Sequence, residues 1–87
     1  MDQSEFHELT EATVNQVLDR IPSKYIPGFE AMLDGGEYSM AVEDLVLTLI
    51  NNQVPATGAE QESLLRLLVY LRQPTTTLDD LTLASQT

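Results

Sequence analysis

The chain predicts an all-α fold: a compact four-helix domain of antiparallel helical hairpins, residues 1–74, followed by a short C-terminal tail, residues 75–87. Three observations carry that reading. Apolar residues recur at three- and four-residue spacing in four separate stretches, the signature of one buried face on each of four helices. Strong breakers stand between the stretches: Pro22, Gly35-Gly36, Val54-Pro55 and Gln73-Pro74. No run alternates apolar and polar residues long enough for a strand, and such short connections imply antiparallel neighbours.

The first helix is expected from Ser4 to about Arg20. Phe6, Leu9, Thr13, Val14, Val17, Leu18 and Ile21 form its apolar stripe. Ser4 is the expected N-cap, with Glu5 and Glu8 placed favourably for the helix dipole. Pro22 stops it. A second, shorter helix over residues 24–34 is capped by Ser23, with Pro27 in its first turn. Tyr25, Ile26, Phe29, Met32 and Leu33 face inward, while Glu30 and Asp34 point away. Gly35-Gly36 ends it and re-aims the chain.

The third helix is expected from about Glu37 to Asn51. Ala41, Val42, Leu45, Val46, Leu49 and Ile50 make its inward face. At 100° per residue the opposite face centres on Met40 and Leu47, flanked by Glu43, Asp44 and Asn51. A surface helix ordinarily carries polar residues there. Val54 tucks under the helix ends. Thr57-x-x-Glu60 is a capping box that starts the fourth helix at about Gly58. Leu64, Leu65, Leu67, Leu68, Val69 and Leu71 cover more than half its circumference, which predicts the central, most buried helix. In the tail, one capped turn from Thr77 would pack Leu78 and Leu81 on the body. Ala84 to Thr87 are expected to fray.

Fourteen acids against four bases give the 87 residues a formal charge of −10, with 43% hydrophobic residues, the range of globular chains. The bases are Arg20, Lys24, Arg66 and Arg72, so residues 25–65 hold none. A potential of this sign repels nucleic acid and anionic membrane and steers a basic protein into contact. No apolar run approaches the length of a membrane span, and the acidic N-terminus does not read as a signal peptide. The absence of cysteine excludes a disulfide framework and fits a reducing compartment. The expectation is a cytoplasmic protein.

Catalysis is not expected. His7 is the single histidine and has no cysteine to pair with, so a surface residue is the simpler reading. Glu43-Asp44 and Asp79-Asp80 are adjacent in sequence and diverge on a helix. Gly35-Gly36 lacks the lysine and hydroxyl of a phosphate loop, and Gly36, Tyr38 and Met40 break the oxygen-ligand alternation of an EF-hand. No cofactor or metal is expected. An acyl carrier would bear its prosthetic arm on a serine at a helix start. The nearest match, Glu62-Ser63-Leu64, places Ser63 inside the fourth helix and lacks the upstream glycine and aspartate of that family.

One segment carries a resemblance. Gly36-Glu37-Tyr38-x-x-Ala41-x-Glu43-x-Leu45, followed by Val54-Pro55 and a capped helix containing Glu60, resembles the MafI-type immunity proteins of bacterial polymorphic toxin and contact-dependent inhibition systems. It covers roughly residues 26–70. Gly36, Ala41 and Leu45 would suit any tight helical hairpin, and the tail after Pro74 is longer than the family implies. The resemblance implies a small helical protein that protects its cell by binding a cognate toxin, often a nuclease with a basic cleft. It implies no catalytic residues, and of its motif positions only Glu37 and Glu43 suit toxin contact. The expected partner surface is therefore Met40 and Leu47 at the centre, with Glu30, Asp34, Glu37, Glu43, Asp44 and Asn51 around them. The alternatives are that the tail or a second copy of the chain covers Met40 and Leu47, or that the surface serves an acidic adaptor meeting another basic protein.

Overall fold

A computed structural model describes residues 1–84. Four α-helices run in the order α1 (Gln3–Val17), α2 (Ile26–Asp34), α3 (Tyr38–Asn51) and α4 (Gly58–Tyr70), with single 3-10 turns at Ser23–Tyr25 and Thr76–Asp80. Among the described residues there is no strand, only an isolated bridge between Ala56 and Leu83. The radius of gyration, 12.1 Å, agrees with about 12 Å for one compact unit of this length. The expected all-α, four-helix architecture is what the chain forms.

Helix α1 starts one residue earlier than expected and ends three residues earlier. Its N-cap is Asp2, whose carboxylate accepts from the Glu5 N–H at 2.8 Å. Thr10 and Thr13 are buried on its inner face because each hydroxyl donates back to the carbonyl four residues earlier, Phe6 and Leu9, at 2.7 Å. After Val17 the chain turns, and that turn carries Arg20 across to α4.

Helices α2, α3 and α4 close with one motif. After α2, Glu37 N–H reaches Met32 C=O at 2.7 Å and Gly36 N–H reaches Leu33 C=O at 3.2 Å, with Gly36 at φ 75°. The same pair of bonds recurs after α3, from Val54 to Leu49 and from Gln53 to Ile50. It recurs again after α4, from Gln73 to Leu68 and from Arg72 to Val69. This is the Schellman closure, which needs a left-handed residue just past the helix. Only the first copy uses glycine; Gln53 (φ 51°) and Arg72 (φ 57°) adopt that conformation at a cost.

The core joins Phe6, Val14, Val17 and Ile21 with Phe29 from α2, Val42, Leu45, Val46 and Leu49 from α3, Leu64, Leu67 and Leu68 from α4, and Val54 and Leu81 from the connections. The central helix is α3, which packs against α1, α2, α4 and the second 3-10 turn. This corrects the expectation that α4 is the most buried. Leu65 and Val69 of α4 remain 43% and 60% exposed, so its apolar circumference is only partly covered. Of the expected inward residues of α2, only Phe29 is fully buried.

The tail docks as expected for Leu78 and Leu81: Leu81 is buried and Leu78 half-buried. It goes further at its end. Ala56 N–H donates to Thr82 C=O and Ala84 N–H to Ala56 C=O, both at 2.9 Å, so Ala84 is tied down rather than frayed. The expectation for Ser85, Gln86 and Thr87 lies outside the described residues.

Candidate partner interface

Helix α3 divides cleanly between its two faces. Ala41, Val42, Leu45, Val46 and Leu49 are buried, whereas Met40 is 50% exposed and Leu47 52% exposed. Glu43, Asp44 and Asn51 are exposed alongside them, and Glu37 is exposed at the N-cap. By 100° per residue, Glu43, Asp44, Leu47 and Asn51 all fall within about 60° of Met40, one stripe along the helix. The tail leaves both hydrophobes open.

Leu47 is a ridge between two open grooves. On one side lies a groove of about 350 Å³ between α2 and α3, walled by Tyr25, Phe29, Met32, Asp44, Leu47 and Asn51, with Gly28 and Lys24 also on it. On the other lies one of about 230 Å³, formed by Glu43, Val46, Leu47, Leu68, Pro74 and Thr77. Both volumes sit near or below the small end of small-molecule sites, about 300 Å³, and both are open to solvent. They suit the side chains of a protein partner better than an enclosed substrate.

Glu30 and Asp34 are exposed as expected, but the structure does not bring them to this stripe. Tyr25, Gly28 and Met32 are the edge of α2 that meets the groove, and Glu30 and Asp34 lie about 160° around the helix from Met32. Asp34 instead lies near the Tyr38 hydroxyl. That hydroxyl donates to Glu11 Oε1 at 3.0 Å, and this bond, followed by burial and the negative charges of Glu11 and Asp34, raises the phenol above its ordinary value. The residues that sequence reasoning missed are the groove walls, Tyr25, Met32, Val46, Leu68 and Pro74. Helical periodicity tells which face a residue takes, not how far apart two helices stand.

The acidity is distributed less evenly than the base-free window suggests. Glu60 is 2% exposed and belongs to the interior. It accepts from Thr57 N–H at 2.9 Å while Thr57 Oγ1 accepts from Glu60 N–H at 3.1 Å, completing the expected capping box. Its other carboxylate oxygen pairs with the Arg20 guanidinium, which also donates to Pro55 C=O at 2.8 Å. Burial pushes the Glu60 carboxyl up, but the Arg20 and Thr57 hydrogen bonds and the Arg20 charge outweigh it and hold the carboxyl below its ordinary value. Among the described residues, Arg20–Glu60 is the one ion pair within 4.0 Å, so the α3 acids take part in none.

The remaining polar features do not converge on a reaction centre. His7 is half-buried and stacks on Tyr38, ring centroids 3.9 Å apart and 15° from parallel, while Phe6 stacks on Tyr70 at 4.6 Å. Ser63 is half-buried in the middle of α4. Among the described residues, no group of three His, Cys, Asp or Glu side chains is placed to hold a metal ion, and no helix is long and apolar enough to cross a membrane. Comparison with models of protein families, with characterised proteins and with solved structures gives no match.

Proposed function

We propose that the chain is a non-catalytic immunity protein of the bacterial cytoplasm. It binds and neutralises a cognate secreted toxin, a nuclease with a basic cleft, through the outward face of α3. The observation that carries this reading is the pair of half-exposed large hydrophobes, Met40 and Leu47, set in an acidic stripe on a helix whose other face already supplies the core. A net charge of −10 with uncompensated acids on that stripe accelerates encounter with a basic protein and penalises nucleic acid. In the complex, Met40 and Leu47 form the dry centre, and Glu37, Glu43, Asp44 and Asn51 the polar rim. The resemblance over residues 26–70 points to the same class of partner.

The test is co-expression with the C-terminal domain of the secreted toxin encoded directly upstream. The unaltered chain is expected to restore growth, and the purified pair to bind. Leu47→Asp is expected to lose both while melting at the same temperature. An affinity for that domain no greater than for an unrelated basic protein sinks the reading in favour of a general acidic adaptor.

A further inference from the structure

Helix α4 keeps large hydrophobes on the side away from the core. Its buried residues Glu60, Leu64, Leu67 and Leu68 hold one side. Opposite them, at 100° per residue, Glu62, Leu65, Arg66 and Val69 share an outward arc of about 100°. All four are exposed, Leu65 at 43% and Val69 at 60%. Arg72 follows, also exposed, in the turn that closes the helix. Two of the chain's four bases thus stand on or just past this arc, with Glu62 the one acid on it. Among the described residues neither Arg66 nor Arg72 takes part in an ion pair within 4.0 Å.

The order of these residues is self-complementary. Leu65 and Val69 stand two residues before and after Leu67, and Glu62 and Arg72 stand five before and after it. A two-fold axis at the level of Leu67 would set two antiparallel copies of α4 with each residue opposite its counterpart. We infer that this face seats a second copy of the chain, α4 against α4. Leu65 meets Val69 of the second copy and Glu62 meets its Arg72, and the symmetry makes each pairing twice. The hydrophobes form the dry centre and the ion pairs the two ends. Asp79 borders the same hollow as Glu62 and Leu65 and adds a second acid near that end. On the other flank Arg66 borders a hollow with Glu5 and Glu8 of α1, where it offsets acids that would repel an incoming copy. The α3 stripe fails the same construction. Setting Met40 against Leu47 of a second copy puts Glu43 against Asp44, like charges at the dyad itself. Self-association therefore belongs to α4, and this holds whether or not the chain is an immunity protein. A contact of one helix face between chains of charge −10 makes a weak dimer that forms as concentration rises.

Sedimentation equilibrium of the full chain, from about 10 µM to 1 mM at about 0.15 M salt, tests this. The unaltered chain is expected to move toward the dimer mass across that range. Val69→Lys is expected to stay monomeric and to melt at the same temperature; Leu65→Lys replaces it should it fold poorly. Glu62→Arg makes the chain two charges less acidic, so general repulsion predicts tighter association, whereas the proposed pairing predicts a dimer about tenfold weaker. Arg72→Glu is expected to weaken it as well. The double variant, Glu62→Arg with Arg72→Glu, keeps the unaltered net charge and reverses both ends of the pair. It is expected to dimerise within about threefold of the unaltered chain. A chain that remains monomeric at the highest concentration overturns the inference. So does a dimer that survives Val69→Lys, or a double variant no tighter than either single one. Loss of the dimer in Leu47→Asp with Val69→Lys unaffected would move the second copy to α3 and overturn it equally.

Discussion

Replacing Arg20 by methionine should expose how much of this small domain hangs on one interior contact. Methionine keeps an unbranched stem against the turn after α1 but removes the guanidinium from Glu60 and from the Pro55 carbonyl. Glu60, 2% exposed, is then a carboxylate without a counter-charge. Breaking a buried pair this way costs about 3–5 kcal/mol. The Arg20 side chain is 31% exposed, so water can reach the vacated position and the lower end applies. Protonation sets a ceiling. Neutralising a carboxyl of ordinary value 4.5 at pH 7 costs about 3 kcal/mol at 1.36 kcal/mol per unit, and the chain can always take that route. The expected loss at pH 7 is therefore about 2–3 kcal/mol. For a domain whose whole stability is about 4–13 kcal/mol, this lowers melting by roughly 10–20 °C.

The pH dependence supplies the sharper criterion. In the unaltered chain the Glu60 carboxyl is depressed, so its contribution is fully present above the unfolded value and fades as pH falls through the folded one. In Arg20→Met, only the Thr57 hydrogen bonds still oppose burial, so the carboxyl rises relative to the unaltered chain and the folded state takes up its proton at higher pH. The gap between the two proteins should then be widest at pH 7 and shrink toward pH 4. Thermal melts followed by circular dichroism at several pH values measure it. A loss below about 1 kcal/mol at pH 7, or one that does not change with pH, would refute the assignment of Glu60 as a charged interior group stabilised by Arg20.

The other predictions concern the helix ends and the proposed interface. Gln53→Gly and Arg72→Gly should each raise stability by about 0.5–1 kcal/mol, read as denaturation midpoint, because each relieves a left-handed non-glycine residue whose side chain is exposed. Met40→Ala and Leu47→Ala should each weaken toxin binding by about 1–3 kcal/mol in calorimetry while leaving stability within about 0.5 kcal/mol. Glu43→Gln and Asp44→Asn should lower the association rate and flatten its salt dependence, whereas Glu30→Gln and Asp34→Asn, on the far flank of α2, should change neither appreciably.

Much of the fold was readable because periodicity and breakers agree along this chain. The Gly36 turn, the Thr57–Glu60 capping box and the inward face of α3 all follow from local pattern. The start of α1 was also written there: Asp2 and Glu5 have the same three-residue spacing as Thr57 and Glu60, and Asp2 caps as well as Ser4 could. The rank of α4 was misread because an apolar circumference reports what a helix could bury, not whether a neighbour exists to bury it. Leu65 and Val69 stay exposed. The capping box places Glu60 at the helix start but does not reveal its interior ion pair, because its partner Arg20 is forty residues away in sequence. The outward stripe of α3 was legible for the same reason as its inward one, but the grooves beside Leu47 depend on how α2 and the tail are spaced from α3. Nothing in local pattern encodes that spacing.

The division of α3 into two faces has a consequence for how this protein could change. Every residue of its buried face is apolar, and among the described residues Met40, Glu43, Asp44 and Leu47 opposite make no side-chain hydrogen bond or ion pair. The stability of α3 therefore comes from Ala41, Val42, Leu45, Val46 and Leu49, whereas Met40, Glu43, Asp44 and Leu47 are free of that constraint. Surface substitutions of this kind usually shift stability by less than about 0.5 kcal/mol, while a change at the centre of an interface commonly shifts binding by more than 1 kcal/mol. Under the proposed function, partner choice can thus be altered at Met40, Leu47 and the adjoining grooves without re-solving the core. The limit is electrostatic: Arg20 is committed to Glu60, which leaves Lys24, Arg66 and Arg72 against thirteen other acids. Adding further acids to the stripe would gain association rate only at the expense of self-repulsion, so a tighter partner is reached through Leu47 and its grooves rather than through more charge.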